Sequence, residues 1–509
     1  MVTGENSDAG NGPEESTRYR GPRHSAKSRA KSTNYPLRRT FFGLLALTAL
    51  VVVGLAVTSN RGGINKQKDR RVTSTSAPTT SDTTASLPLL STPTWRVAWG
   101  SPMAWGDGTA VNTTVRELVT VGIGGVAVRV RLSNLDGNVP LDVGAASVAQ
   151  DLQNSQLVPG TIQSLTFSGA PTVSIPVGQV VYSDPVNMAV STGETLAVSV
   201  YVSNADVVTV HPCCTEANVS FFTPNNGGNQ VTQSSNTPFT FSSPWPRWVD
   251  ALDILQEPNT APAQGSIVVL GDSISEGFNA PIRWTDILQK RIDMLPTDEQ
   301  RAVINEAITA NTLLTLPDDY SKTGGGQSGL DRMAQDVIDQ SGVSEVIIFL
   351  GTNDLFFGAS ADQIIAGYEQ AIAMLHEANL KVIGVTLLPR MAGKEPWNPQ
   401  QQQYLQQINT WIMGQGNFDG YLDFAQVIAD DYDGSCIPTS IYPPFDSGDH
   451  LHPSAAGQTA MADSVAGPQL GLPTLGYVPE LVLTTPTKNC LGVAGIPGPV
   501  AMPTVSPVK

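Results

Sequence analysis

Gly271-Asp272-Ser273 follows directly on Ser266-Ile267-Val268-Val269-Leu270, and a serine so placed can do chemistry. The apolar run reads as a buried parallel strand, and the three residues after it as a sharp turn into a helix. A hydroxyl there, with its own backbone N–H at a helix start, can attack a carbonyl and help hold the resulting oxyanion. Serine is a poor nucleophile until a base takes its proton, and the base works best when a carboxylate fixes its tautomer. The chain has five histidines. His24 falls in a basic leader, His211 in a strand-rich stretch and His376 on the polar side of a helix, which leaves His450 and His452. Asp449 and His452 are three apart, so one turn brings both side chains to the same side. His452 is therefore the candidate base and Asp449 its partner, with His450 as the minor alternative. Asn353, in Gly351-Thr352-Asn353-Asp354 after the apolar run ending at Leu350, offers a side-chain amide to a tetrahedral intermediate, and Ala307 to Leu314 can supply a backbone N–H. Each piece alone has a plainer use as a cap, an Asx turn or a structural hydrogen bond. Ser275 is the rival serine, but it comes two residues later and faces the first helical turn. Glycine is missing two places after Ser273, so the Gly-x-Ser-x-Gly elbow is not present.

The elements that must position these groups alternate. After Ile267–Leu270 the pattern predicts a helix at Arg283–Ile292, a strand near Ala302–Asn305 and a helix near Gly329–Gln340. A strand at Glu345–Leu350, a helix at Ala361–Asn379, a strand at Lys381–Leu388 and a helix at Gln400–Gly414 follow. A strand at Tyr421–Ile428 and a helix from Ser454 complete the series. Strands alternating with helices mean a parallel sheet covered on both faces, and five strands suggest a flavodoxin-like order with the site at their C-terminal edge.

With those residues in place, the chain resembles the GDSL or SGNH hydrolases. Gly271-Asp272-Ser273 matches the first family block, Gly351-x-Asn353-Asp354 the third and Asp449-x-x-His452-Pro453 the last, in the right order. The resemblance implies a three-layer α/β/α hydrolase domain with a five-stranded parallel sheet, Ser273 as nucleophile, His452 as base and Asp449 as its partner. It implies an oxyanion hole from the backbone N–H groups of Ser273 and Ala310 with the Asn353 amide. One block departs: alanine stands at 310 where the family usually has glycine. That matters if the backbone there needs a positive φ.

Before this domain, alternation of Val126, Val128, Val130 and Leu132 with Ala127, Arg129, Arg131 and Ser133 marks half-buried strands, as does the run Leu196 to Ser203. Residues 95–257 thus read as a β-sandwich, similar to the leading domain of secreted bacterial members of the family around Arg116 and Gly124 to Asn134. Phe222 to Trp248 reads as a long loop that overhangs the active site or projects as a mobile excursion. Lys322 to Gln327 is a candidate rim. Trp284, Phe356 and Phe357 are candidate pocket walls or plain core.

Residues 1–40 are basic, polar and poor in aromatics, hence disordered. Residues 41–59 form an apolar stretch close to the roughly 20 needed to span a bilayer, read as an uncleaved signal-anchor with a cleaved signal peptide as the alternative. Residues 60–94 are a Ser/Thr/Pro linker, 265–475 the hydrolase domain and 476–509 a tail. The charge is uneven, with 13 basic against 5 acidic residues before Val72 and 16 against 40 after it. An acidic outer portion excludes nucleic acid as the main partner and leaves the membrane to the N-terminal helix alone. The expected location is extracytoplasmic. Cys213, Cys214, Cys436 and Cys490 allow three pairings, of which Cys436 with Cys490 is preferred. No spacing resembles a metal site, and the chemistry calls for no cofactor. The expected function is a serine esterase acting on an acetylated carbohydrate or lipid-type ester. The alternative is a surface carbohydrate-binding or adhesive protein whose hydrolase fold has lost turnover. Oligomeric state is left open.

Overall fold

The computed structural model describes residues 88–476, apart from 206, 213–217, 316–324, 391, 415–416 and 431–437. The expected leader, signal-anchor, most of the linker, the tail from residue 477, all four cysteines and Lys322 to Gly324 lie outside the described residues.

Seven longer strands build the first part: β1 (Thr94–Gly100), β2 (Ala110–Thr120), β3 (Gly125–Ser133), β4 (Leu141–Gln153), β5 (Val186–Val190), β6 (Thr195–Ala205) and β7 (Val249–Gln256). They pair antiparallel in two sheets, β1-β7-β3-β5 and β2-β6-β4, each extended by shorter strands. Alternation decides which side chains go inside. Val115 and Val119 of β2 and Val198 and Val200 of β6 share one apolar cluster with Val128 and Val130 of β3 and Leu252 and Ile254 of β7.

The second part has strands β8 (Ser266–Gly271), β9 (Val303–Ala307), β10 (Val343–Phe349), β11 (Lys381–Val385) and β12 (Gly420–Leu422), all parallel, in the order β9-β8-β10-β11-β12. That is the flavodoxin-like order, in which strands are added first to one side of β8 and then to the other, so the winding switches between β8 and β10. Every residue of β8 is buried, and successive side chains serve opposite layers. Ile267 and Val269 pack with Trp284, Leu288 and Ile292 of α2 (Trp284–Ile292) and with Ala460 and Met461 of α8 (Ala455–Ser464). Val268 and Leu270 pack into the cluster that holds Ile364, Tyr368 and Leu375 of α5 (Ala361–Glu377) and Leu405 and Ile408 of α6 (Pro399–Ile412). The same cluster runs on into the sandwich, so the two parts share one core.

Three expected elements differ. The Tyr421–Ile428 strand stops at Leu422, because Asp423 accepts a hydrogen bond from the Gln426 amide and caps α7 (Phe424–Ile428) instead. The helix near Gly329–Gln340 is α3 (Gly329–Met333) followed by a π-helical turn, Ala334–Ile338. Phe222 to Trp248 neither overhangs the site nor projects. It is tied down on the sandwich, where Arg116 donates to the Gln233 carbonyl and Ser147 to the Val231 carbonyl, both at 2.6 Å. Within the stretch read as linker, Leu90 is buried and its amide donates to the Ala261 carbonyl.

Candidate active site

Gly271, the last residue of β8, pairs with Ala307 of β9 and Phe349 of β10, so three strands end level and their following loops share one sheet edge. A Cβ on Gly271 would fall 2.7 Å from Ser275 Cβ, so only glycine lets the chain turn this tightly. Asp272 caps the single-turn helix α1 (Ser273–Glu276) by accepting the Ile274 amide at 2.9 Å. Ser273 thereby becomes the first helical residue, with an N–H that has no intrahelical acceptor.

The terminal loop brings its imidazole to this point. Ser273 Oγ lies 2.8 Å from His452 Nε2, and His452 Nδ1 lies 2.6 Å from Asp449 Oδ2. Asp449 also accepts the backbone N–H groups of Leu451 and His452 and the side-chain amide of Asn279. Partial burial would raise its pKa, but the hydrogen bonds and charge of His452 outweigh that and hold it well below the usual carboxylate range. An ionised, acceptor-only carboxylate fixes the proton on Nδ1 and leaves the Nε2 lone pair for the Ser273 hydroxyl. Phe278 packs on the His452 ring at 4.7 Å between centroids.

His450 turns elsewhere, its Nδ1 2.6 Å from Asp446 Oδ2. Ser275 is fully buried and its Oγ accepts the Trp284 indole N–H, so it is part of the packing. Trp284 is likewise core, Phe356 is half-buried beneath the Arg390 guanidinium and Phe357 is exposed.

Asn353 stands in α4 (Thr352–Phe356), whose start requires Gly351 at φ 125, where a Cβ would meet Tyr368 Oη at 2.7 Å. Its Nδ2 donates to the Asn311 carbonyl at 2.8 Å and approaches Asp272 Oδ2 at 3.4 Å. The second contact is long, so that proton can turn to an incoming oxyanion at little cost. Ala310 holds φ 61, the left-handed region that glycine adopts freely and an alanine Cβ opposes, so the backbone at 310 does take the positive φ that makes the departure from glycine matter. Among the described residues, neither the Ala310 nor the Ser273 amide has an acceptor.

Several residues that organise the site carried no role in the sequence. Asn311 is fully buried and accepts from the Arg332 guanidinium at 3.0 and 3.2 Å, while its amide donates to the carbonyls of Gly325 and Gln327. Arg332 also donates to the carbonyls of Glu306 and Gly271 and pairs with Asp336 at 2.9 Å, tying together the ends of β8 and β9. Asp354 accepts the amides of Leu313 and Leu314, both at 2.8 Å. Burial pushes Asp354 up to about 6 and Asp272 up to about 7, the latter helped by the charges of Asp354 and Glu276. The acid that follows Asn353 was the one available signal, since Asp354 reaches back to the amides of Leu313 and Leu314 beyond the end of β9.

Among the described residues no group of three or more His, Cys, Asp and Glu side chains is arranged to hold a metal. In the same residues no helix is long and apolar enough to cross a membrane.

A doubly wound parallel sheet with serine, imidazole, carboxylate and amide gathered at its C-terminal edge defines the SGNH-hydrolase class of fold. Residues 269–460 match the model of the GDSL-like Lipase/Acylhydrolase family, and this part of the chain is a GDSL-like lipase/acylhydrolase domain. Solved structures similar to it include a GDSL-like lipase from Bacteroides thetaiotaomicron, 20% identical, covering 39% of this chain and 83% of that one, with a TM-score of 0.30. Another is Axe2, an acetylxylan esterase from Geobacillus stearothermophilus, 18% identical, covering 40% of this chain and 93% of that one, with a TM-score of 0.30. No curated protein matches the chain.

Proposed function

We propose that the protein is a serine esterase that hydrolyses carboxylic esters through an acyl-enzyme. The observation that carries this reading is the unbroken hydrogen-bonded chain Asp449–His452–Ser273, at 2.6 and 2.8 Å. Ser273 Oγ attacks the ester carbonyl as its proton passes to His452 Nε2, and Asp449 stabilises the imidazolium. The oxyanion is received by the amides of Ser273 and Ala310 and by Asn353 Nδ2. His452 returns the proton to the departing alcohol, leaving Ser273 acylated. Water then attacks with His452 again as base, releasing the acid and restoring the serine. An acetylated carbohydrate or a lipid-type ester is the proposed substrate. The basic leader and apolar stretch 41–59 support a membrane-anchored, extracytoplasmic setting.

A fluorophosphonate probe and hydrolysis of p-nitrophenyl acetate test the assignment together. Ser273→Ala should lose both, and Asp449→Asn should lower turnover on the order of 10³-fold or more by releasing the tautomer. Full labelling or hydrolysis by a folded Ser273→Ala variant would overturn the assignment. A wild-type protein that binds acetylated glycans yet neither labels nor hydrolyses would favour the binding-protein alternative. Comparing acetyl with long-chain esters, on sugar and glycerol alcohols, sorts the substrate class.

A further inference from the structure

His211 follows the short sandwich strand Val208–Val210, yet its ring reaches the catalytic helix. Its Nε2 lies 3.1 Å from Glu276 Oε1, with the two side chains 5% and 1% exposed. Glu276 ends α1, three residues beyond Ser273. Its other oxygen, Oε2, accepts Thr309 Oγ1 at 2.5 Å. Thr309 is the residue before Ala310, whose amide points the oxyanion contact and whose φ of 61 is one that alanine adopts only under constraint.

One carboxylate therefore meets polar side chains from two separate stretches of chain, an imidazole at Oε1 and a hydroxyl at Oε2. Burial alone would push Glu276 up, but His211, Thr309 and Arg283 outweigh it and keep the carboxyl below its ordinary value, so it is ionised at neutral pH, with Oε2 accepting the Thr309 hydroxyl and Oε1 facing the His211 ring. A second sandwich contact reaches the same region. Gly326 is packed so closely that a Cβ on it would lie 3.0 Å from Ala104 Cβ and 3.2 Å from Ile308 Cδ1, and the neighbouring carbonyls of Gly325 and Gln327 are the acceptors of Asn311.

We propose that His211 is a positioning residue: through Glu276 and Thr309 the β-sandwich holds Ile308 to Asn311 in the left-handed turn that aims the Ala310 amide at the reacting carbonyl. The sandwich is then part of the machinery without touching substrate. The role given to Ala310 rests on the esterase reading, while the bridge itself does not. A pair that served only to join two domains would affect stability and leave the loop's motion and turnover alone.

The test uses the full chain with Thr309→Val, which keeps shape and removes the hydroxyl, Thr309→Ser, which restores it, and His211→Phe. Hydrogen exchange is followed in the peptide covering 307–313, which contains the bonded amides of Ile308 and Asn311. Thr309→Val and His211→Phe should each speed exchange there by about tenfold. They should lower kcat by about tenfold to a hundredfold with KM within about twofold, and Thr309→Ser should recover both readouts. Unchanged exchange and kcat in Thr309→Val overturn the proposal, whether or not His211→Phe folds. If the wild-type enzyme proves inactive on every ester, the esterase reading falls, and exchange in the loop still decides the bridge.

Discussion

Replacing Ala310 by glycine separates two effects that usually act together. In the left-handed region the alanine Cβ crowds a carbonyl, which costs roughly 1 kcal/mol or a little more. Glycine removes that crowding but enlarges the freedom of the unfolded chain, which costs about 0.4–1 kcal/mol. The two nearly cancel, so Ala310→Gly should leave stability within about 0.6 kcal/mol of the parent, on the stabilising side. Ala307 supplies the control. It ends β9, is 1% exposed and does not adopt a positive φ, so Ala307→Gly loses a buried methyl group with no relief of strain. Its cost should be roughly 1.5 kcal/mol, from about 0.8 for the methyl and the remainder for the backbone. Equilibrium urea unfolding followed by tryptophan fluorescence measures both, with the buried Trp284 and Trp397 as reporters within the catalytic part. The reasoning fails if Ala310→Gly is as damaging as Ala307→Gly, because that would mean the turn at 310 is not left-handed.

Stability should fall as pH rises from about 4 to 8. Burial raises Glu117 to about 8, Asp272 to about 7 and Asp136, Asp250 and Asp354 each to about 6, so the folded state binds more protons than the unfolded chain across that window. Glu276 and Asp449 are depressed, and their contribution is lost only below the ordinary carboxylate range. Thermal unfolding at pH 5 and pH 8 checks the sign; a higher Tm at pH 8 refutes it. Arg332→Met should cost about 3–5 kcal/mol, because Asp336 is left buried without its ion-pair partner. Adding Asp336→Leu should recover most of the stability while turnover stays low, since the Glu306, Gly271 and Asn311 oxygens remain unanchored. Parental turnover in the double variant would show that those anchors do not position the site.

What the sequence made legible follows from how locally each feature is encoded. Ile267–Leu270 could be read as a strand because burial on both faces leaves no polar alternation to confuse it, and its level ending with β9 and β10 brought the Ser273 and Asn353 blocks together. Asp423 was the point of failure for the next strand along. Its side chain competes for the backbone, and the Asp-x-x-Gln spacing that caps α7 was hidden inside an apolar stretch. Arg332 and Asn311 escaped notice for a different reason. An arginine on a short helix reads as solvated surface, and only the fold shows that its guanidinium turns inward among main-chain oxygens. His211 and Glu276 are 65 positions apart in the chain, so no local pattern joins them.

The first sandwich strand also has a bearing on modularity. β1 lies against the flank of the catalytic sheet, where the space a side chain would need at Gly100 is taken by Glu306 and Ile304 of β9, and Ser266 at the start of β8 donates to the Val97 carbonyl at 2.7 Å. β9 is the outermost strand on that side. A fragment severed from residues before 265 would lose this packing and uncover apolar side chains of β9 that β1 now covers. The sandwich is thus a standing cover for one face of the parallel sheet, and neither half is a portable cassette that recombination could graft onto another protein unaccompanied.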